Sequence, residues 1–256
     1  MVDEERTINA LPSHLNPLPR FGGEGWGEGA KHRWPSPHQT LITMTRLRIT
    51  EIFLSLQGET RTVGIPTVFV RLTGCPLRCG YCDTAYAFTG GEWLEQEQIL
   101  EKVAALDTRH VTVTGGEPLA QKPCLTLLTR LSDAGYAVSL ETSGALDISA
   151  VDARVSRVMD LKTPGSGEET RNRYENTPLL TAHDQVKFVL CDRHDYDWAK
   201  DLLTTHALAA RCEVLFSPSY DQLPAKTLAD WILADRLPVR MQIQLHKYLW
   251  GNVPGK

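Results

Sequence analysis

The chain has 256 residues, 42% of them hydrophobic and 23% charged, with six cysteines and a formal net charge of -4. That length can bury a substantial core in one domain, and the mild negative charge without a long Lys/Arg run argues against a nucleic-acid backbone or an anionic membrane as main partner, so a small ligand is expected. No apolar run approaches the roughly 18 residues of a membrane helix, and the opening "MVDEERTINA" has no secretory pattern, so the expected location is the cytoplasm, where clustered thiols read as metal or redox chemistry rather than disulfides.

Residues 1–43 contain "LPSHLNPLPRFGGEGWGEGAKHRWPSPHQ", rich in Gly and Pro and without apolar periodicity, and are expected to be a disordered tail or a mis-called extension. Met44 is the candidate start of a folded domain spanning 44–256. Strands are predicted at Arg48 to Leu54, Thr67 to Leu72, His110 to Thr114, Ala137 to Glu141, Arg157 to Leu161, Gln185 to Leu190, Glu213 to Phe216 and Val239 to Gln244. Helices are predicted over "EWLEQEQILEKVAAL" (Glu92 to Leu106), "CLTLLTRLSDAG" (Cys124 to Gly135, with Gly135 as the stop) and "PAKTLADWILADRL" (Pro224 to Leu237). Strands alternating with helices imply an α/β fold with a mostly parallel sheet, either doubly wound or an incomplete barrel. In both, the loops after Leu72, Thr114, Glu141, Leu161 and Phe216 should converge on one site at the carboxyl ends of the strands.

Three cysteines crowd the loop after the second predicted strand: Cys75, Cys79 and Cys82 in "CPLRCGYC", spaced C-x3-C-x2-C. Cys124, Cys191 and Cys212 stand alone among apolar residues and read as core packing. A structural zinc site needs four ligands, usually as two pairs, and no second pair exists, although His110 or His246 remains open as a helper. Three thiolates suit an iron–sulfur cube with one iron left free for chemistry. A second motif, "VTVTGGEPL" at Val111 to Leu119, ends a predicted strand with two glycines that would let the backbone approach a ligand and expose its N–H groups.

The cysteine triplet, the aromatic Tyr81 before its last member and the "GGEP" turn resemble the radical S-adenosylmethionine superfamily. "FLSLQGET", "VFVRLTGC", "YCDTAY", "LETSG", "MDLKTPGSGE", "DQVKFVL", "LFSPSY" and "QLHKYLWGNVPGK" resemble, within it, the 7-carboxy-7-deazaguanine synthase family. The resemblance covers essentially everything after Met44 and implies an incomplete, TIM-like β/α barrel. It implies a lyase that converts 6-carboxy-5,6,7,8-tetrahydropterin to 7-carboxy-7-deazaguanine with loss of ammonia, through a 5′-deoxyadenosyl radical made from S-adenosylmethionine at a 4Fe–4S cluster. The implied cluster ligands are Cys75, Cys79 and Cys82. S-adenosylmethionine contacts carry over to Tyr81, Cys82, Asp83, Gly115, Gly116, Glu117, Asp160, Leu161, Lys162, Ser217, Pro218, Ser219 and Tyr220. Thr84 is the implied magnesium ligand. Substrate contacts carry over to Leu56, Gln57, Gly58, Glu59, Arg71, Thr114 and Pro254, with Gln57 and Glu59 suited to the amidine-like edge of a pterin and Arg71 to its carboxylate. His246 receives no chemical role. The resemblance also implies a homodimer and an electron donor such as flavodoxin or ferredoxin. Two other readings stand beside it: an activating enzyme that makes a glycyl radical on a partner protein, and a zinc-bearing structural or interaction module.

Overall fold

The computed structural model describes residues 46–255. The expected tail, the candidate start at Met44 and the final Lys256 lie outside them. Among the described residues nine strands form one sheet: β1 (Leu47–Leu56), β2 (Pro66–Leu72), β3 (Glu92–Leu94), β4 (His110–Gly115), β5 (Ala137–Thr142), β6 (Ser156–Asp160), β7 (Gln185–Leu190), β8 (Glu213–Pro218) and β9 (Arg240–Met241). Their order is β3-β1-β2-β4-β5-β6-β7-β8-β9. Neighbours from β2 through β9 pair in parallel, β1 pairs antiparallel with both β2 and β3, and the two edge strands do not meet. This is the open, mostly parallel β/α sheet that the resemblance implied.

The helices are α1 (Gln96–Ala104), α2 (Cys124–Asp133), α3 (Arg193–Thr205), α4 (Leu208–Arg211), α5 (Ala225–Asp235) and α6 (Leu245–Trp250). The first predicted helix is too long at its amino end: Glu92–Leu94 instead pairs with β1, and the helix starts behind a capping box between Glu95 and Gln98. α2 ends as predicted, on Gly135 with φ +87°. The long helix α3 was not predicted. Its signals are an aspartate cap, with Asp192 accepting from the Asp195 amide, and buried Tyr196, Ala199 and Leu203 at helical spacing.

Each strand of the parallel sheet alternates. Val68, Val70, Val111, Val113, Leu140, Met159, Val186, Phe188, Val214 and Phe216 are buried in one apolar cluster with the helices. The intervening residues include Arg71, Thr112, Thr114, Ser139, Glu141, Asp160 and Lys187. A parallel sheet packed on both faces would be apolar throughout. Here the second face mixes polar groups with Phe69, Val158 and Val189, because it borders a cavity.

The turn between β1 and β2 closes one end of that cavity. Arg61 donates its backbone N–H to Gln185 Oε1 (2.7 Å) and pairs with Glu213 (3.4 Å), so the turn reaches across to β7 and β8. Gly58 O accepts from Gln242 Nε2 (3.0 Å) and from the Leu245 amide (3.2 Å), joining the turn to the chain's last helix. A Cβ at Gly58 would stand 2.9 Å from His246 Nδ1, which makes glycine the residue that permits this approach.

Candidate active site

The cavity has a volume of about 680 Å³. It is lined by the loop after β2 (Cys75, Cys79, Cys82), the turn after β4 (Gly115, Gly116), the end of β5 (Glu141 to Ser143), the end of β6 (Asp160, Lys162) and the loop after β8 (Ser219 to Gln222). The predicted convergence of these loops is therefore observed. The β1–β2 turn, α6 and residues 251–255 complete the wall.

The cluster loop is fixed by backbone packing. Gly116 N–H donates to Leu72 O (3.1 Å) and Glu117 N–H to Gly74 O (2.8 Å). A Cβ at Gly115 would lie 2.6 Å from Leu72 O, and one at Gly116 would press on Gly74 and come within 2.8 Å of Cys75 Cβ. The glycines thus let two loops interlock, and the N–H groups of Gly116 and Glu117 are spent on the neighbouring loop, whereas the sequence suggested that the glycine turn would expose its N–H groups to a ligand. Glu117 is fully buried and accepts from Thr142 Oγ1 (2.9 Å), the Ser143 amide (2.7 Å) and the Leu119 amide (3.0 Å). Its carboxylate positions the end of β5 and does not line the cavity. On the other side, Gly80 N–H donates to Ser166 O (2.9 Å) and Arg78 N–H to Glu168.

Cys75, Cys79 and Cys82 are partly exposed to the cavity and free, whereas Cys124, Cys191 and Cys212 are buried, as expected. Burial pushes the Cys75 thiol up and the Cys79 thiol up to about 11, so binding a metal there must displace protons. His110 starts β4, paired with Thr67, whereas Gly115 pairs with Leu72 beside the cysteine loop. Five residues of strand separate the two ends by about 17 Å, which removes His110 as a helper ligand.

The remaining site residues fall into two groups. At the cofactor positions, Tyr81, Asp83, Gly116, Asp160, Lys162, Ser219 and Tyr220 line the cavity. Leu161 instead lies in the apolar core, because alternation turns it away from Asp160. Ser217 and Pro218 lie outside the lining, and the Ser217 hydroxyl is buried without a partner. Tyr81 Oη and Asp160 Oδ1 are likewise buried without partners although both residues line the cavity, and buried polar atoms require them.

At the substrate positions, Leu56, Gln57, Gly58, Glu59, Arg71, Thr114 and Pro254 all line the cavity. The Gln57 side chain is already committed: its Nε2 donates to Thr112 Oγ1 and Glu141 Oε1 (both 3.2 Å), and its Oε1 accepts from the Glu59 amide (2.8 Å). It braces the floor instead of presenting a free amide. Thr114 Oγ1 donates to Glu141 Oε2 (3.0 Å). Glu141, unassigned from sequence, thus stands between two expected contacts, and its burial raises its pKa against the opposing effect of Lys187. Arg71 is held by Glu51 (2.6 Å), which also accepts from Tyr86 Oη (2.7 Å), with the guanidinium over the rings of Phe53 and Tyr86. Burial would raise the Glu59 carboxyl, but Lys187, His246 and a hydrogen bond from Gln244 (2.9 Å) outweigh it and hold Glu59 well below the usual carboxylate range.

Thr84 lines the cavity and donates to Asp83 Oδ1 (2.8 Å), leaving its oxygen able to accept a cation. One oxygen or nitrogen each from Glu59, Asp83 and His246 lie within 4.8 Å of one another. Glu59 is paired with Lys187 and Asp83 with Lys247 (2.9 Å), so the charge of this trio is balanced internally.

An open β/α sheet with three cavity-facing cysteines on the loop after its first parallel strand is the architecture of a radical SAM domain, and the Radical SAM superfamily matches residues 69–205. The 7-carboxy-7-deazaguanine synthase of Chlorobaculum tepidum is 44% identical over 214 residues, covering 82% of this chain and 97% of the relative. That of Koribacter versatilis is 40% identical, covering 80% and 97% respectively. The crystal structure of QueE from Escherichia coli shares the fold, with a TM-score of 0.64 at 24% identity over 78% of this chain and 94% of that one. The chain belongs to the 7-carboxy-7-deazaguanine synthase family.

Proposed function

We infer that the chain is a radical S-adenosylmethionine lyase that converts 6-carboxy-5,6,7,8-tetrahydropterin to 7-carboxy-7-deazaguanine, releasing ammonia. The observation that carries this reading is the meeting of the cysteine triplet with Glu59, Arg71, Thr114 and Glu141 in a single cavity. Its volume of about 680 Å³ lies within the roughly 300–1,000 Å³ of small-molecule sites.

Cys75, Cys79 and Cys82 would hold the 4Fe–4S cluster, and the unpartnered Tyr81 Oη and Asp160 Oδ1, with Gly116, Lys162, Ser219 and Tyr220, suit S-adenosylmethionine. When bound, the cluster and S-adenosylmethionine would supply the radical that starts the reaction. The protein's own residues bind and orient the pterin. Glu59, kept ionised, accepts from the amidine-like edge, and Arg71, aimed by Glu51 and near the rings of Phe53 and Tyr86, takes the carboxylate. The β1–β2 turn and residues 251–255 keep water and competing hydrogen donors from the reacting carbon.

Magnesium is assigned to Thr84, whose oxygen is a hard donor facing the cavity. A homodimer is supported by the exposed Tyr248, Leu249 and Trp250 of α6. The reading further includes a cytoplasmic location, a flavodoxin or ferredoxin as electron donor, and a core at 44–256 that works without residues 1–43. No observation favours a peptide groove, so the activating-enzyme reading is not carried further.

The test is anaerobic incubation of reduced, cluster-loaded protein with S-adenosylmethionine and the carboxypterin. The deazaguanine product is expected. Cleavage of S-adenosylmethionine without that product would overturn the substrate assignment.

A further inference from the structure

Lys187 lies on β7 within "DQVKFVL". Its side chain is 10% exposed, and its ammonium group is in direct contact with Glu59 Oε2 and 3.4 Å from Asp160 Oδ2. Glu59 stands on the floor of the cavity with Gln244 and His246. Asp160 stands at the end of β6, where it pairs with Lys162 (3.1 Å) and has no partner for its other oxygen. Lys187 is therefore the cation shared by an acid on the substrate side and an acid on the cofactor side. Glu141 is the remaining acid whose field reaches it.

A lysine on the inner face of a sheet is unfavourable unless its charge is compensated and all its donors are placed. Two acids from different walls provide that compensation, and in return one ammonium group holds two carboxylates that face different ligands. The Glu59 backbone is held by the Gln57 side chain, and its carboxylate is placed by Lys187, Gln244 and His246. Asp160 Oδ2 is occupied by two lysines, Lys162 and Lys187, while Oδ1 is buried without a partner.

We propose that Lys187 is a positioning residue that fixes Glu59 for the pterin and Asp160 for S-adenosylmethionine, so that one side chain sets the geometry of both halves of the cavity. The inference rests on the substrate reading above. It has a signature that a contact confined to one side lacks: its loss weakens two different ligands together.

The probes are 6-carboxypterin, followed by its fluorescence, and S-adenosylmethionine, followed by equilibrium dialysis under anaerobic conditions, both with cluster-loaded protein. Lys187→Met is expected to raise both dissociation constants by at least about ten-fold, the effect of losing a charged hydrogen bond. Glu59→Gln should weaken the pterin alone. Combining the two substitutions should weaken the pterin no more than the worse single change, within about two-fold, because both break one contact. Lys187→Arg, which keeps the charge, should bind each ligand more tightly than Lys187→Met. If Lys187→Met does not accumulate as folded protein, the double variant, which removes both charges of the pair, and Lys187→Arg carry the comparison.

Unchanged affinities, a change in only one ligand, or multiplication of the two effects on pterin binding would each overturn the proposal. Failure of the unsubstituted protein to bind 6-carboxypterin would instead overturn the substrate reading.

Discussion

On β7, Val186, Phe188 and Leu190 turn toward the helices and are sealed from water, while Gln185 and Lys187 turn inward and meet Arg61, Glu59 and Asp160. The same contrast runs along β4, where Val111 and Val113 alternate with Thr112 and Thr114, and along β5, where Leu140 is followed by Glu141. One face is held by burial of apolar area, which is non-directional and tolerant of small shifts. The other is held by hydrogen bonds and ion pairs, whose geometry must be satisfied group by group. Division of labour follows: the outer face keeps the sheet folded, and the inner face, with the loops at its rim, fixes where ligands sit.

Substitutions that respect this division should separate stability from activity. The largest effect is expected at the rim. Cys79→Ala should remove iron and reduce turnover to background while the melting temperature of the cluster-free protein barely moves, as read by iron content, product assay and circular dichroism. On the outer face, Phe188→Ala should cost about 3–5 kcal/mol of stability, because Phe188 is fully buried against Phe216 and Trp198; denaturant unfolding measures it.

At the sheet's other end, Asp184 accepts from Arg157 and Thr181, and Arg157 Nη2 stands 2.6 Å from Oδ2 of its almost fully buried carboxylate. Burial would raise its pKa, but the bonds from Arg157 and Thr181 lower it on balance. Protons therefore bind the unfolded chain more readily. This contribution is complete above the ordinary carboxylate value near 4 and is lost as pH falls through the lower folded value. Melting curves taken from pH 6 downward should fall more steeply for the parent than for Asp184→Asn, which itself should cost about 3 kcal/mol at neutral pH by breaking a buried pair.

On the inner face, Arg71→Ala should raise KM for the pterin about 10- to 100-fold, the usual effect of losing a charged hydrogen bond, with a smaller change in kcat. The smallest effect is expected from a chain that begins at Met44, which should keep both melting temperature and turnover. A large loss of either would show that residues 1–43 contribute to the core.

Much of this was legible in the sequence because local rules carried it. Seven predicted strands match the observed ones within two or three residues at each end, since short Val/Ile/Leu-rich runs bounded by polar turns have few other conformations open to them. The eighth, Val239 to Gln244, shrank to Arg240–Met241, an edge position where pairing comes from one side only. The first helix was overextended because Trp93 and Leu94 fit a helical stripe as well as a strand, and only the pairing with β1 decides between them.

At the site, the cysteine triplet and the strand-end loops could be located from spacing and order. The commitments of individual atoms could not. Nothing in "LQGE" reveals that Gln57 is saturated by Thr112, Glu141 and the Glu59 amide, and nothing in "TGGEP" reveals that Glu117 serves Thr142 and Ser143. These partners are distant in sequence. Polar residues alternating with valine in "HVTVTG" and "AVSLET" were, however, an available sign that the inner face surrounds a ligand.

The bond between Gln242 and Gly58 joins positions 184 residues apart. Ribosomes add roughly 5–20 residues per second, so the β1–β2 turn waits roughly ten to forty seconds for the segment that secures it. For most of that interval Cys75, Cys79 and Cys82 have been synthesised while the chamber around them is unfinished. The order of the chain therefore completes the chamber only after the cysteines it encloses, with α6 and residues 251–255 added last.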